Sequence, residues 1–190
     1  MLFRILFTVG LLAACGASAA LARDPVAIVA GNREVALSAA MLRARPSETL
    51  TVAYQTAKGA ERARFTGARL WDILASQGLV DTEIHGALLR TLIIVTAGDG
   101  YSLVLAAGDL APELGDAPVL LAYAREDEAM QPERAPRLIV PGDRRGARQM
   151  FDVARIEIRV LETRASQETA YRDTALPNST QRNPTQENTP

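Results

Sequence analysis

Cysteine is almost absent from this 190-residue chain: the only one, Cys15, lies in the apolar N-terminal stretch. Nothing beyond it can form a disulfide or supply thiolates to a zinc, iron–sulfur or copper centre. Histidine is as scarce. His85 is the only one, which excludes a multi-histidine metal site, and it lies in the polar connection from Asp81 to Gly86, where a solvated surface residue is expected. Hydrolytic triads lack a base, because no Gly-x-Ser-x-Gly segment partners that histidine. Lys58 is the sole lysine, so there is no Gly-x-x-x-x-Gly-Lys phosphate loop. A net charge of -1 offers no overall field for polyanions, and no nucleic-acid partner is expected. Long apolar runs are missing too. The longest, residues 5–15, falls short of the ~20 residues a membrane-spanning helix needs.

What is present begins with a leader. Arg4 supplies a positive charge ahead of the apolar run, and two A-x-A arrangements follow, Ala17-Ser18-Ala19 and Ala20-Leu21-Ala22. Small residues so placed suit a signal peptidase, and residues 1–22 read as a signal peptide directing export to the periplasm. Leu12-Ala13-Ala14-Cys15-Gly16 supports a second reading, a bacterial lipobox ending at residue 14. Cys15 would then be acylated, and the chain would meet the membrane only through that anchor. Under either reading Cys15 stays out of the fold. Residues 23–162 are of a size to bury one core without disulfides or metals. From residue 163 to 190 the chain is Ser, Thr, Gln, Asn and Pro with few apolar residues, the composition of a disordered tail.

Within the central region, Val26–Val29 is a strand candidate turned at Gly31-Asn32. Ser38 is placed to cap a brief helix through Met41, closed by Pro46. Leu50, Val52 and Tyr54 alternate with polar or small neighbours over residues 49–55, the period of a half-buried strand. Residues 57–62 read as a loop. A helix opened by Thr66-Gly67 places Leu70, Ile73 and Leu74 on one face and stops at Gly78. Leu92–Val95 and Tyr101–Leu105 form a hairpin across Gly98-Asp99-Gly100. A short helix at 107–114 leads to a strand at Pro118–Tyr123. Arg125–Glu128 is a charged turn, Arg137–Val140 a strand stopped by Pro141-Gly142, and Phe151–Val160 a strand whose uneven alternation implies a bulge. Many short strands with a few short helices define a mixed α+β fold.

Several of these segments, taken in order, resemble a known family. Phe65-Thr66-Gly67-x-x-Leu70-x-Asp72-Ile73-Leu74, Gly98-Asp99-Gly100-Tyr101, Leu120–Tyr123, Ala135–Pro141 with Gly142 and Gly146, and Ile156-Glu157-Ile158 together resemble the molybdopterin-binding domain of the sulfite oxidase family, over roughly residues 25–162. The resemblance implies a barrel-like mixed sheet with short helices, and oxygen-atom chemistry at molybdenum held by a pterin dithiolene and one protein cysteine. That cysteine sits in a Thr-Leu-Thr-Cys-like context. Here the matching segment is Thr49-Leu50-Thr51-Val52-Ala53-Tyr54, with Val52 or a close neighbour in the cysteine's place, and neither a valine nor Ala53 can coordinate a metal. Tyr54 offers only a hard phenolate donor with an ordinary pKa of ~10.

The family's Gly-x-Pro-x-Arg-Leu stretch corresponds to Arg134–Leu138, with arginine replacing the first glycine. The following loop carries Arg144, Arg145 and Arg148 between Gly142 and Gly146. Arg137, Arg144, Arg145 and Arg148, with Tyr101 at the pocket mouth, are therefore the candidate residues for a molybdopterin phosphate or another small anion. The same residues also read as a solvated loop of exposed ion pairs, and Gly98–Tyr101 as an ordinary hairpin turn. Three functions remain: an exported binding or accessory module on this scaffold, a molybdenum-cofactor oxidoreductase with a non-cysteine ligand, and a membrane-held interaction protein.

Overall fold

The computed structural model describes residues 25–83, 86–131 and 134–162. The leader with Cys15, the loop histidine His85 and the C-terminal tail lie outside them. Ten strands and three short α-helices occur among the described residues, and the strands form two open sheets. The barrel-like closure implied by the resemblance is not found, because each sheet ends in free edges.

The first sheet has the order β2-β1-β10-β5-β6. β1 (Val26–Ala30) and β2 (Arg33–Leu37) are a hairpin turned at Gly31, which holds φ 59°. β5 (Thr91–Ala97) and β6 (Ser102–Ala106) form the hairpin expected across Gly98–Gly100. β10 (Val153–Val160) lies between the two hairpins, parallel to β1 and antiparallel to β5, with the expected bulge between Val153 and Arg155. Alternation decides which faces are buried: Ile28, Ile93, Val95, Ile156 and Ile158 point to one side and are enclosed.

The second sheet joins β3 (Glu48–Thr56), β4 (Gly59–Arg69), β7 (Leu120–Arg125) and the two-residue β8 (Glu128–Ala129), with β9 (Arg137–Ile139) also paired to β7. Two sequence expectations are corrected here. Residues 59–62 are not loop but the start of β4, with Ala63 and Phe65 turned inward and Arg62 and Arg64 outward. Thr66 and Gly67 belong to β4 as well, and α2 (Leu70–Ser76) begins only after them. A strand outcompetes the helix at Gly67 because its main chain packs directly on β7: a Cβ there would lie 2.2 Å from the Leu121 carbonyl oxygen. Leu70 N–H then donates to the Val119 carbonyl at 2.8 Å, satisfying the first turn of α2.

The helices are short for local reasons. Ser38 caps α1 (Ala39–Arg43) by accepting from Met41 N–H at 3.2 Å. α2 stops in a Schellman arrangement: Leu79 N–H donates to the Leu74 carbonyl and Gly78 N–H to the Ala75 carbonyl, with Gly78 at φ 60°. α3 covers only Ala107–Leu110, less than the expected 107–114, because Ala111 precedes Pro112 and turns extended at ψ 130°.

The main core lies between the sheets, where α2 contributes Leu70, Trp71, Ile73 and Leu74 beside Leu121 and Leu138. The second sheet is covered on its other face too. Val52, Tyr54, Ala63, Phe65, Leu120, Ala122 and Ile139 form a smaller core there. This outer core positions the site described next.

Candidate functional site

Arg137 is the largest fully buried side chain of the described residues, 2% exposed. It belongs to β9, on the face that also carries Ile139, and projects into the smaller core. A guanidinium carries five donors, so burial demands partners. Its Nη2 donates to the Tyr54 hydroxyl at 2.9 Å. Its carbon centre lies 3.8 Å from the Phe151 ring centroid and 4.8 Å from that of Phe65, within the range of cation–π attraction. Its Nε is buried without a hydrogen-bond partner.

Tyr54 faces Glu61 across the β3–β4 register, and that carboxylate lies close enough to act on its hydroxyl. Glu61 in turn pairs with Arg125 at 3.1 Å. A polar chain therefore runs Arg137, Tyr54, Glu61, Arg125 through an otherwise apolar layer. Burial pushes the Tyr54 pKa above its ordinary 10.0; Arg137 opposes the shift and Glu61 reinforces it. Burial likewise lowers the Arg137 guanidinium below its ordinary value, with Tyr54 opposing. The result is a neutral phenol bridging a buried cation and a half-buried carboxylate.

The segment 142–151 covers this chain. Gly146 packs so closely on the Tyr54 ring that a Cβ would stand 2.8 Å from Cδ2. Gln149 is buried and exchanges hydrogen bonds with both main-chain groups of Val140. Leu138 N–H donates to Met150 and Val153 N–H to Pro136, fixing the segment against β9.

The five candidate residues from the sequence fall into three environments. Arg137 is interior. Arg148 is held by Asp143, its Nε donating to Oδ2 at 2.8 Å with a second contact from Nη2. Tyr101 is half exposed and its hydroxyl donates to the Ala147 carbonyl at 3.1 Å, placing it against the same loop. Arg144 and Arg145 are exposed at the outer edge of β3, where Gln55 N–H donates to the Arg144 carbonyl at 2.9 Å and Gln55 forms a parallel bridge with Arg145. Arg144 also lines a cleft of about 410 Å³ with Ala53, Tyr54, Gln55, Ala60, Glu61 and Arg62.

Val52, which with its close neighbours is where the sequence resemblance would put a cysteine, is 5% exposed and packed within the smaller core. Glu61, Arg62 and the ring of Phe151 are site residues that the sequence reading does not single out, and Phe65 enters it only through the resemblance. The alternation of Glu61 and Ala63 with Arg62 and Arg64 is the signal that places Glu61 and Arg62 on a strand.

An α+β scaffold of two open sheets, with a buried arginine–tyrosine pair on the outer face of the second, is thus the class that the geometry defines. No family model matches the chain, and neither does any curated protein sequence. Among solved structures, the fold is similar to that of the sulfane dehydrogenase SoxCD from Paracoccus pantotrophus, with a TM-score of 0.57 and 17% identity, over 74% of this chain and 40% of that one. The chain spans well under half the length of that structure's chain, and the likeness is one of fold.

Proposed function

We propose that this chain is an exported module that keeps the scaffold of a sulfite-oxidase-type molybdopterin domain and serves as a non-catalytic binding or accessory protein. Fold likeness to a sulfane dehydrogenase supports the scaffold, and the leader in residues 1–22 supports export.

The observation that carries the non-catalytic reading is the filling of the ligand position. Val52 offers only carbon and is packed among Tyr54, Phe65 and Ile139. The neighbouring oxygen donor, Tyr54, is engaged by Arg137 and held in its neutral form by burial. Among the described residues, no group of three or more His, Cys, Asp or Glu is placed to hold a metal. These residues do not fit a thiolate-ligated molybdenum centre. Binding through charge remains open to the chain, since Arg144 and Arg145 are exposed and neither has an ion-pair partner among the described residues. A small anion or a pterin phosphate is the ligand class this supports.

The test is metal and pterin content. The chain is purified from the periplasm of a host competent in molybdenum-cofactor synthesis and analysed by elemental and pterin-fluorescence assays. Neither molybdenum nor pterin is expected at stoichiometric level. Stoichiometric molybdenum would overturn the reading in favour of an oxidoreductase with a non-cysteine ligand. Radiolabelled fatty acid supplied to the same host separates soluble export from an anchor on Cys15.

A further inference from the structure

Most cations in the described residues have a partner. Arg64 contacts Asp127, Arg69 contacts Glu48 and Asp116, Arg125 contacts Glu61, Arg148 contacts Asp143, and Arg159 contacts Glu157. Arg33 and Arg45 donate to the Gly78 carbonyl and to Ser76, while Arg43 and Arg134 lie over the rings of Tyr123 and Phe151. Arg137 has Tyr54, and Arg155 lies close enough to Glu157 to lower its pKa. The described cations left without such a partner are Lys58, Arg62, Arg90, Arg144 and Arg145.

All but Arg90 gather at one place. Lys58 is at the tip of the β3–β4 hairpin, Arg62 is on β4, and Arg144 and Arg145 flank the end of β3 through the Gln55 bridge. Unpaired like charges repel one another, and a chain of near-zero net charge has no general need to collect them.

The same place has an unfinished sheet edge. β3 is the outermost strand of its sheet. Its Gln55 N–H points away from β4, toward Arg144. Main-chain direction alternates along a strand, so Ala53, Thr51 and Thr49 also present their N–H and C=O groups outward. Among the described residues, that edge is bridged only at Gln55. The remainder, Thr49-Leu50-Thr51-Val52-Ala53, carries no charge, proline or bulge of the kind that usually blocks edge pairing. Arg62 lies opposite Ala53, whose methyl group leaves the space above it open, and both line the cleft that Arg144 borders.

We infer that the outer edge of β3 is a docking site for an extended, acidic segment of a partner protein. The segment adds to β3 as a further strand, and its carboxylates meet Arg62, Arg144 and Arg145. Main-chain pairing sets the register, and the guanidinium groups select acidic sequences. The inference rests on the binding-module reading and names the partner of that module. Its test is independent of metal content, so either can fail alone.

The probe is a fluorescein-labelled peptide of alternating glutamate and threonine, ten residues long, titrated with the full-length chain and followed by anisotropy. The matching lysine–threonine peptide, inorganic phosphate as competitor and anionic lipid vesicles are run beside it. Saturable binding of the acidic peptide that weakens with salt is expected, with no binding of the lysine peptide. Replacing Arg62, Arg144 and Arg145 together by glutamine is expected to weaken it about tenfold, the sum of three exposed pairs. Thr51→Pro removes an outward N–H without touching the pairing to β4, and it should weaken binding while leaving the thermal transition in place. No saturable binding of the acidic peptide, or equal affinity for the triple variant, overturns the inference. Displacement by millimolar phosphate with no effect of Thr51→Pro overturns it in favour of a small-anion site, and vesicle binding stronger than peptide binding overturns it in favour of a membrane surface.

Discussion

Replacing Tyr54 by phenylalanine removes one oxygen atom and leaves the ring packed against Gly146, so its effect isolates the polar chain. Among the described residues the lost hydroxyl is the only side-chain hydrogen-bond partner of Arg137, whose Nε already lacks one. A buried donor left unmade costs about 1–3 kcal/mol, and breaking a buried pair around a charge reaches roughly 3–5 kcal/mol. Glu61 keeps Arg125, which limits the damage on that side. Tyr54→Phe is therefore expected to destabilise the fold by about 2–4 kcal/mol. Arg137→Met acts differently. It discards the charge, keeps an unbranched stem between Phe65 and Phe151, and leaves Tyr54 its neighbour Glu61. Lost cation–π attraction is offset by relief of desolvation, for a net loss of about 1 kcal/mol. The two changes should not add: the double variant is expected to be more stable than Tyr54→Phe alone, because no buried guanidinium remains to be satisfied. Equilibrium unfolding in urea measures all four proteins. A Tyr54→Phe loss under about 1 kcal/mol, or a double variant less stable than Tyr54→Phe, refutes the reasoning.

Three other outcomes follow from the same geometry. In an ultraviolet titration of the phenol groups, one component is expected above the free-tyrosine value and should vanish in Tyr54→Phe. Its folded pKa is raised from 10.0, so the stability it contributes is present below pH 10 and is lost as pH rises through the folded value; Arg137, lowered by burial, acts in the opposite sense at more alkaline pH. Gly67→Ala places a Cβ 2.2 Å from the Leu121 oxygen and 2.6 Å from the Ala122 Cα, and since both are main-chain atoms, a loss of about 3 kcal/mol or more is expected from the urea midpoint. Val52→Cys, which puts a thiol where the resemblance would place one, should cost about 1 kcal/mol, gain no molybdenum in the competent host, and leave the thiol unreactive toward a disulfide reagent until the chain unfolds; stoichiometric metal uptake by this variant would contradict the packing described for Val52.

Much of the fold could be read from local pattern. Alternation at Leu50, Val52 and Tyr54 gave β3 and its inward face, Gly78 marked the end of α2, and uneven spacing between Val153 and Ile156 announced the β10 bulge. β4 escaped because its first residues, Gly59 to Arg62, are small or charged, and what makes them a strand is main-chain pairing to β3 rather than hydropathy. The site was half legible. Arg137 is marked by the Gly-x-Pro-x-Arg-Leu resemblance, but its partner Tyr54 lies 83 residues away in sequence. Glu61 and Arg62 were hidden with the strand that carries them. Arg144 and Arg145 were named for their composition, yet their meaning depends on being bridged to Gln55, which no local signal encodes.

The position of β10 bears on how the chain reaches this state. Among the described residues it is the last strand to be made and the middle strand of its sheet, flanked by β1 from the start of the described chain and by β5. Until it arrives, β1–β2 and β5–β6 are separate hairpins with nothing to join them, and a two-stranded ribbon alone has little stability in water. Completing the first sheet is therefore a late, long-range step, whereas the smaller core of the second sheet holds no β10 residue and can assemble before it. The export proposed above would suit that order, since a first sheet left open until β10 is free keeps that half of the chain soft while it is threaded.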